Sequence, residues 1–153
     1  MAETVMGLIS DTHGLLRPAA LEALAGCERI LHAGDVGDAE ILKALEAVAP
    51  VTAVQGNVDE GTCGELPVTQ MVEIAGVKVY VIHDIHDMDI DPEVEGMAAV
   101  IFGHSHKPVI RTVAGVLFVN PGSAGPRRFR LPISVGKLFV EEGRVRAELV
   151  TLG

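Results

Sequence analysis

Five short apolar runs in this chain, residues 4–9, 29–32, 51–55, 77–82 and 98–102, each give way within a few residues to Asp, Asn or His. Apolar stretches of this length are strand-like rather than helix-like. Most of the polar residues that follow sit beside a small residue or glycine, which lets the backbone turn. The pattern constrains the fold strongly, because polar clusters at the carboxyl ends of buried strands are where open α/β sheets build their sites. The sharpest case is Gly103-His104-Ser105-His106 after the run 98–102. Two histidines one residue apart at such a point can both turn a ring nitrogen to one place beyond the strand. Ser105 between them is expected to point the other way in an extended segment.

The first half alternates strand and helix. Pro18 suits a first helical position, Leu21 and Leu24 give an apolar face, and Gly26 suits the stop. Asp38 can cap a second helix, in which Ile41, Leu42, Leu45 and Val48 keep a 3.6-residue period up to Pro50. The second half reads as hairpins: 68–74 with 77–82 around Ala75-Gly76, 109–113 with 116–119, and 134–140 with 144–151 around Glu142-Gly143. An acidic loop, 84–95, with a short helical turn expected from Pro92, lies between the first and second of these hairpins, and an irregular loop, 120–132, lies between the second and third. Three hairpins favour two packed mixed sheets flanked by helices over one doubly wound sheet.

With 153 residues and 48% apolar content the chain is long enough for one domain, 1–153, with a real core. The net charge of −9 argues against long nucleic acid as a partner, and 3% aromatic content leaves little for base stacking. The same charge disfavours an anionic membrane surface. No run resembles a signal peptide or a spanning helix. Two cysteines, Cys27 and Cys63, make no disulfide framework and suit a reduced, cytoplasmic setting. An exposed hairpin strand offers a route to a homo-oligomer.

The polar residues after the strands are Asp11 and His13, Asp35, Asn57, His83, and His104 with His106. Taken singly, each also fits an ordinary turn residue or a hydrogen-bonded histidine. Together, two carboxylates, four imidazoles and an amide oxygen suit borderline divalent metals, with Mn²⁺ the first expectation and Fe²⁺, Zn²⁺ or Ni²⁺ alternatives. Seven ligating groups exceed one tetrahedral ion. They fit two ions of higher coordination that share a carboxylate.

The series Asp11-x-His13, Gly34-Asp35, Gly56-Asn57, His83 and Gly103-His104-Ser105-His106 resembles the calcineurin-like metallophosphoesterase superfamily, and Asn120-Pro121-Gly122-Ser123 resembles its compact phosphodiesterases. The resemblance runs from Val5 to about Arg128. It implies a four-layer α/β/β/α sandwich and a phosphodiesterase acting on a small phosphodiester. It also implies one ion on Asp11, His13 and His106, a second on Asn57, His83 and His104, and Asp35 bridging them. Asp35, Asn57 and His104 would stand closest to the chemistry, with a shared hydroxide as nucleophile. Alternatives are a phosphomonoesterase and a catalytically weak protein-interaction scaffold of the same fold. Val58 occupies the place where many members carry a histidine thought to protonate the leaving group, which points to activated or diester substrates. Compact relatives read His-Gly-His where this chain has His83-Asp84-Ile85-His86. His86 is a candidate substrate contact or a solvated loop residue. Arg127, Arg128 and Arg130 could orient a phosphodiester, since guanidinium groups pair bidentately with phosphate, or simply balance an acidic surface. His32 alternates with core residues and is expected to be buried and hydrogen-bonded.

Overall fold

The computed structural model describes residues 3–56, 59, 66–127 and 130–152. Asn57, Val58, Cys63 and Arg128 lie outside these residues. Ten strands form two five-stranded sheets. The first has the order β10-β9-β1-β2-β3 and the second β4-β5-β6-β8-β7, where β1 is Thr4–Ile9, β2 Arg29–His32, β3 Val51–Ala53, β4 Thr69–Ile74, β5 Val77–Ile82, β6 Met97–Ile101, β7 Val109–Val113, β8 Val116–Asn120, β9 Ser134–Glu141 and β10 Arg144–Thr151. Both sheets are mixed. β1, β2 and β3 run parallel, as do β5, β6 and β8, and each sheet is completed by antiparallel hairpin strands.

Strand alternation explains the layering. Met6, Leu8, Leu31 and Leu138 of the first sheet pack against Val79, Val81, Ile101 and Val119 of the second, and all are fully buried. Burying a side chain of this kind stabilises the fold by roughly 1.5–3 kcal/mol. Residues of opposite parity, Ile9 and Ile30, face two helices instead. Helix α1 (Pro18–Leu24) starts on its proline and buries Ala20 and Leu24. Helix α2 (Ala39–Glu46) is capped by Asp38, whose side chain accepts from Glu40 N, and buries Ile41 and Leu45 one turn apart.

The layer over the second sheet's outer face is thin. Ile85, Met88 and Ile90 pack onto Tyr80, Ile82, Val100, Phe102 and Phe118. The aspartates between them, Asp87, Asp89 and Asp91, are exposed. The acidic stretch is therefore a cover whose apolar residues point inward. Its helical element is a 3₁₀ turn, Ile85–Asp87, capped by Asp84, while the segment after Pro92 makes only hydrogen-bonded turns. No helix among the described residues is long and apolar enough to cross a membrane.

Strand boundaries shift slightly from expectation. β3 stops at Ala53 because Gln55 N leaves the ladder for Pro67 O at 2.7 Å. β6 ends at Ile101, and Phe102 N continues to Val119 O at 3.0 Å. The parallel strands β1, β2, β3, β5 and β6 all deliver their carboxyl ends to one rim, where the two sheets meet.

Candidate metal centre

At that rim the loop after β1 lies on the loop after β2. Asp11 N donates to Gly34 O and His13 N to Asp35 O, both at 2.9 Å. The sheets are joined there too. The His83 ring, after β5 of the second sheet, reaches Ala33 O, after β2 of the first, through Nδ1 at 2.7 Å, and within the second sheet Gly103 N donates to His83 O at 2.9 Å. Asp11, His13, Asp35, His104 and His106 all have positive φ, between 46° and 77°. Non-glycine residues rarely adopt this conformation and hold it only where the surroundings enforce it. Gly103–His106 is consequently a bend rather than the extended segment expected. His106 is buried, while His104 and Ser105 are exposed.

Asp11 has no exposed surface. Its Oδ2 accepts from Ser10 Oγ at 2.8 Å and from His104 N at 3.2 Å. That leaves Oδ1 facing Nε2 of His106 at 3.5 Å, of His13 at 3.7 Å and of His83 at 3.9 Å. Asp35 Oδ2 stands between two rings, 3.2 Å from His83 Nε2 and 3.4 Å from His13 Nε2. His104 Nδ1 lies 3.3 Å from His83 Nε2. The ligating atoms form two overlapping groups, Asp11–His13–His106 and Asp11–Asp35–His83.

This arrangement fits cations. Asp11 Oδ1 and His13 Nε2 are buried with no hydrogen-bond partner, and such atoms are costly to leave unsatisfied. Metal–ligand bonds of about 2.1 Å in tetrahedral or octahedral geometry put neighbouring ligand atoms about 3.0–3.4 Å apart, close to the spacings found. Donation of His83 Nδ1–H to Ala33 O turns the Nε2 lone pair inward, the usual outer arrangement of a metal-bound histidine. Burial alone would lower the His83 pKa. Its hydrogen bond to Asp35, the charges of Asp11 and Asp35, and the Ala33 carbonyl outweigh burial and raise it. The field at this point favours positive charge.

Residues 5–143 match the calcineurin-like phosphoesterase superfamily domain. The chain belongs to that superfamily. It is 34% identical over 161 residues to a probable metallophosphoesterase of Methanothermobacter thermautotrophicus, covering 97% of this chain and 93% of that relative. It is 28% identical to a phosphodiesterase of Methanocaldococcus jannaschii, covering 92% and 96% respectively. The fold resembles that of vacuolar protein sorting 29 from Cryptosporidium parvum, with a TM-score of 0.76 at 20% identity over 98% of each chain. By family, then, the chain is a phosphoesterase of the hydrolase class, and its candidate metal residues make a divalent cofactor plausible.

Several residues that shape this phosphoesterase site carry no obvious signal in the sequence. Asp59 is 1% exposed, and its carboxylate accepts from the backbone N–H of Val36, Gly37 and Gly56 at 2.9–3.1 Å. It thereby ties the loop carrying Asp35 to the one leading to Asn57. The Asn120-Pro121-Gly122-Ser123 segment is a brace. Asn120 Nδ2 donates to Gly103 O and Ser105 Oγ, both at 3.2 Å, and Ser123 Oγ donates to Asp11 O at 3.0 Å. Arg127 is exposed at the end of this brace. His86 is exposed beside Asp84.

His32 is buried and hydrogen-bonded. Gly34 N donates to its Nδ1 at 3.1 Å. Its Nε2–H therefore donates to Thr12 Oγ1 at 3.1 Å, whose own hydroxyl donates to Val36 O at 2.8 Å. Burial, only partly opposed by Asp11, Asp59 and Asp35, lowers its pKa from 6.5 to about 4. The unfolded chain thus takes up this proton first. Stability from the neutral ring is complete above pH 6.5 and is lost as the pH falls towards 4, by up to about 3 kcal/mol. Denaturant melts of metal-free protein are expected to show this slope in the wild type and a shallower one in His32→Gln. Equal slopes would contradict it.

Proposed function

We propose that this chain is a metal-dependent phosphodiesterase that hydrolyses a small phosphodiester with two divalent cations, Mn²⁺ before Fe²⁺, Zn²⁺ or Ni²⁺. The observation that carries the reading is the pair of buried carboxylate oxygens, Asp11 Oδ1 and Asp35 Oδ2, ringed by imidazole nitrogens at 3.2–3.9 Å. Asp11, His13 and His106 would hold one ion. His83 and His104, with Asn57, would hold the other, and Asp35 would serve both. Such a pair of cations supplies a hydroxide at neutral pH and clamps the phosphoryl oxygens for in-line displacement.

The protein's own part is positional. Ser10, the His104 amide and Ser123 hold Asp11, Ala33 holds His83, and Asn120 holds the bend that carries His104 and His106. Arg127 and Arg128 follow the brace, and their guanidinium groups suit the substrate's phosphoryl oxygens. The acidic balance of the chain fits a small substrate better than long nucleic acid or a membrane surface, and its cysteine content fits the cytoplasm. A homo-oligomer through an exposed hairpin strand is compatible with the open edges of β7 and β10.

The test compares an aryl phosphodiester with an alkyl phosphomonoester, using protein loaded with Mn²⁺. Faster turnover of the diester is expected. Equal or faster turnover of the monoester favours the phosphomonoesterase. No turnover with any of the four metals favours the scaffold.

A further inference from the structure

Hydroxide attack on a phosphodiester expels an oxyanion, which leaves more readily if a nearby group protonates it. The chain has six histidines. Four converge on the candidate metal centre. His32 is locked neutral inside the protein, with both ring nitrogens in use. Only His86 is left with a ring open to solvent and outside the cluster, and it is 87% exposed.

His86 is held in place despite that exposure. Its backbone N–H and its Nδ1–H both donate to Asp84 Oδ1, at 3.0 and 2.9 Å. The other oxygen of the same carboxylate is 3.8 Å from His104 Nε2. One carboxylate therefore spans from the metal-centre histidine to His86 and leaves His86 Nε2 clear of it. The Asp84 carboxylate fixes the orientation of the His86 ring through its bond to Nδ1.

The same residues line a cleft. Asp84, Ile85, His86, Phe102, His104 and Arg111 border a space of about 250 Å³ that opens beside the metal centre. At about 30 Å³ for each water it holds roughly eight waters, enough for one small ring. Its walls are apolar at Ile85 and Phe102, and Arg111, stacked 5.7 Å from the Phe118 ring centroid, adds a cation at its border. The charged and titratable groups around His86 are Asp84 and Asp87 on its own turn, His104 from the loop after β6 and Arg111 from β7.

We propose that this cleft receives the group expelled from phosphorus and that His86 gives it its proton. The proposal rests on the phosphodiesterase reading above and deepens it. Hydroxide oxygen bonds to phosphorus while the bond from phosphorus to the leaving oxygen breaks. The electron pair of that bond stays on the leaving oxygen, which takes the Nε2 proton and departs as a small alcohol or phenol. The exposed imidazole then recovers a proton from water. His86 is a catalytic residue in this scheme, and Asp84 positions it.

The test uses the full chain loaded with Mn²⁺ and two diesters that differ only in leaving group, methyl 4-nitrophenyl phosphate and methyl phenyl phosphate. Unsubstituted phenoxide needs the proton far more than 4-nitrophenoxide does. The loss of kcat in His86→Ala is expected to be about 10²-fold larger on the phenyl ester than on the nitrophenyl ester. His86→Gln, which can still donate to Asp84, should show the same contrast. Added imidazole should restore part of the phenyl-ester rate, and both variants should bind as much Mn²⁺ per chain as the wild type. Equal losses on the two esters, or no loss on either, would overturn the assignment. A wild type inert towards both esters would overturn the phosphodiesterase reading, and this assignment with it.

Discussion

Asp35→Asn is expected to lower turnover of an aryl phosphodiester by about 10³-fold or more, the equivalent of about 4 kcal/mol of transition-state stabilisation. The substitution keeps the side chain's shape and removes its charge. Asp35 Oδ2 lies between His83 Nε2 and His13 Nε2, at 3.2 and 3.4 Å, where one oxygen can serve two cations. An amide there is a weaker ligand and turns a donor or a poorer acceptor towards nitrogens that already face inward. Stability should respond differently. Without metal, Asp35 and Asp11 are two buried carboxylates near one another, and removing one charge relieves repulsion. Metal-free Asp35→Asn should therefore melt no lower than metal-free wild type, while the rise in Tm that Mn²⁺ gives the wild type should shrink. A variant that melts well below the wild type without metal would mean that Asp35 serves chiefly to hold the fold.

Gly56→Ala is the second large effect. A methyl group at Gly56 would overlap Asp35 N and Asp35 Oδ1, with Asp35 Cγ at 2.8 Å. The nearest obstacle is backbone, which cannot swing aside like the end of a flexible side chain. Asp35 already sits at φ 56°, and Gly56 N is held at 2.9 Å by Asp59. The expected outcome is a loss of about 2–3 kcal/mol in unfolding free energy, typical of overpacking, together with a fall in turnover beyond 10²-fold because the carboxylate is displaced. Gly76→Ala is the control. Its φ is 84°, but nothing lies within 4 Å of the added methyl. It should cost about 1 kcal/mol and leave turnover as it was. Similar turnover in both variants would show that the close approach at Gly56 does not govern the site.

The part of the fold readable from sequence was the part that local physics determines. Apolar runs set the strands, Pro18 and Asp38 set the helix starts, and Ala75-Gly76 and Glu142-Gly143 set hairpin turns whose residues do have positive φ. Asp11, His13, Asp35, His83, His104 and His106 do come together after their strands, because parallel strands bring their carboxyl ends to one rim whatever the details, while Asn57 lies outside the described residues. His32 was legible from its alternation with core neighbours. The supports were not. Asp59 serves amides of residues 36, 37 and 56, and Asn120 serves the carbonyl of Gly103. Apart from Gly56, those partners come close only once the strands of a sheet have paired. Positive φ at His104 and His106 left no trace either, since histidine, though enriched at positive φ among non-glycine residues, adopts it only in a minority of places. Residues 84–95 looked like a solvated acidic face. Their apolar members alternate irregularly, and only the bare outer face of the second sheet shows what they cover.

A metal titration tests most directly whether this cluster works as a two-metal centre. Protein stripped of metal should not turn over an aryl phosphodiester. On addition of Mn²⁺, turnover should appear and level off at two ions per chain. Turnover that survives metal removal, or that is complete at one ion per chain, would contradict the account.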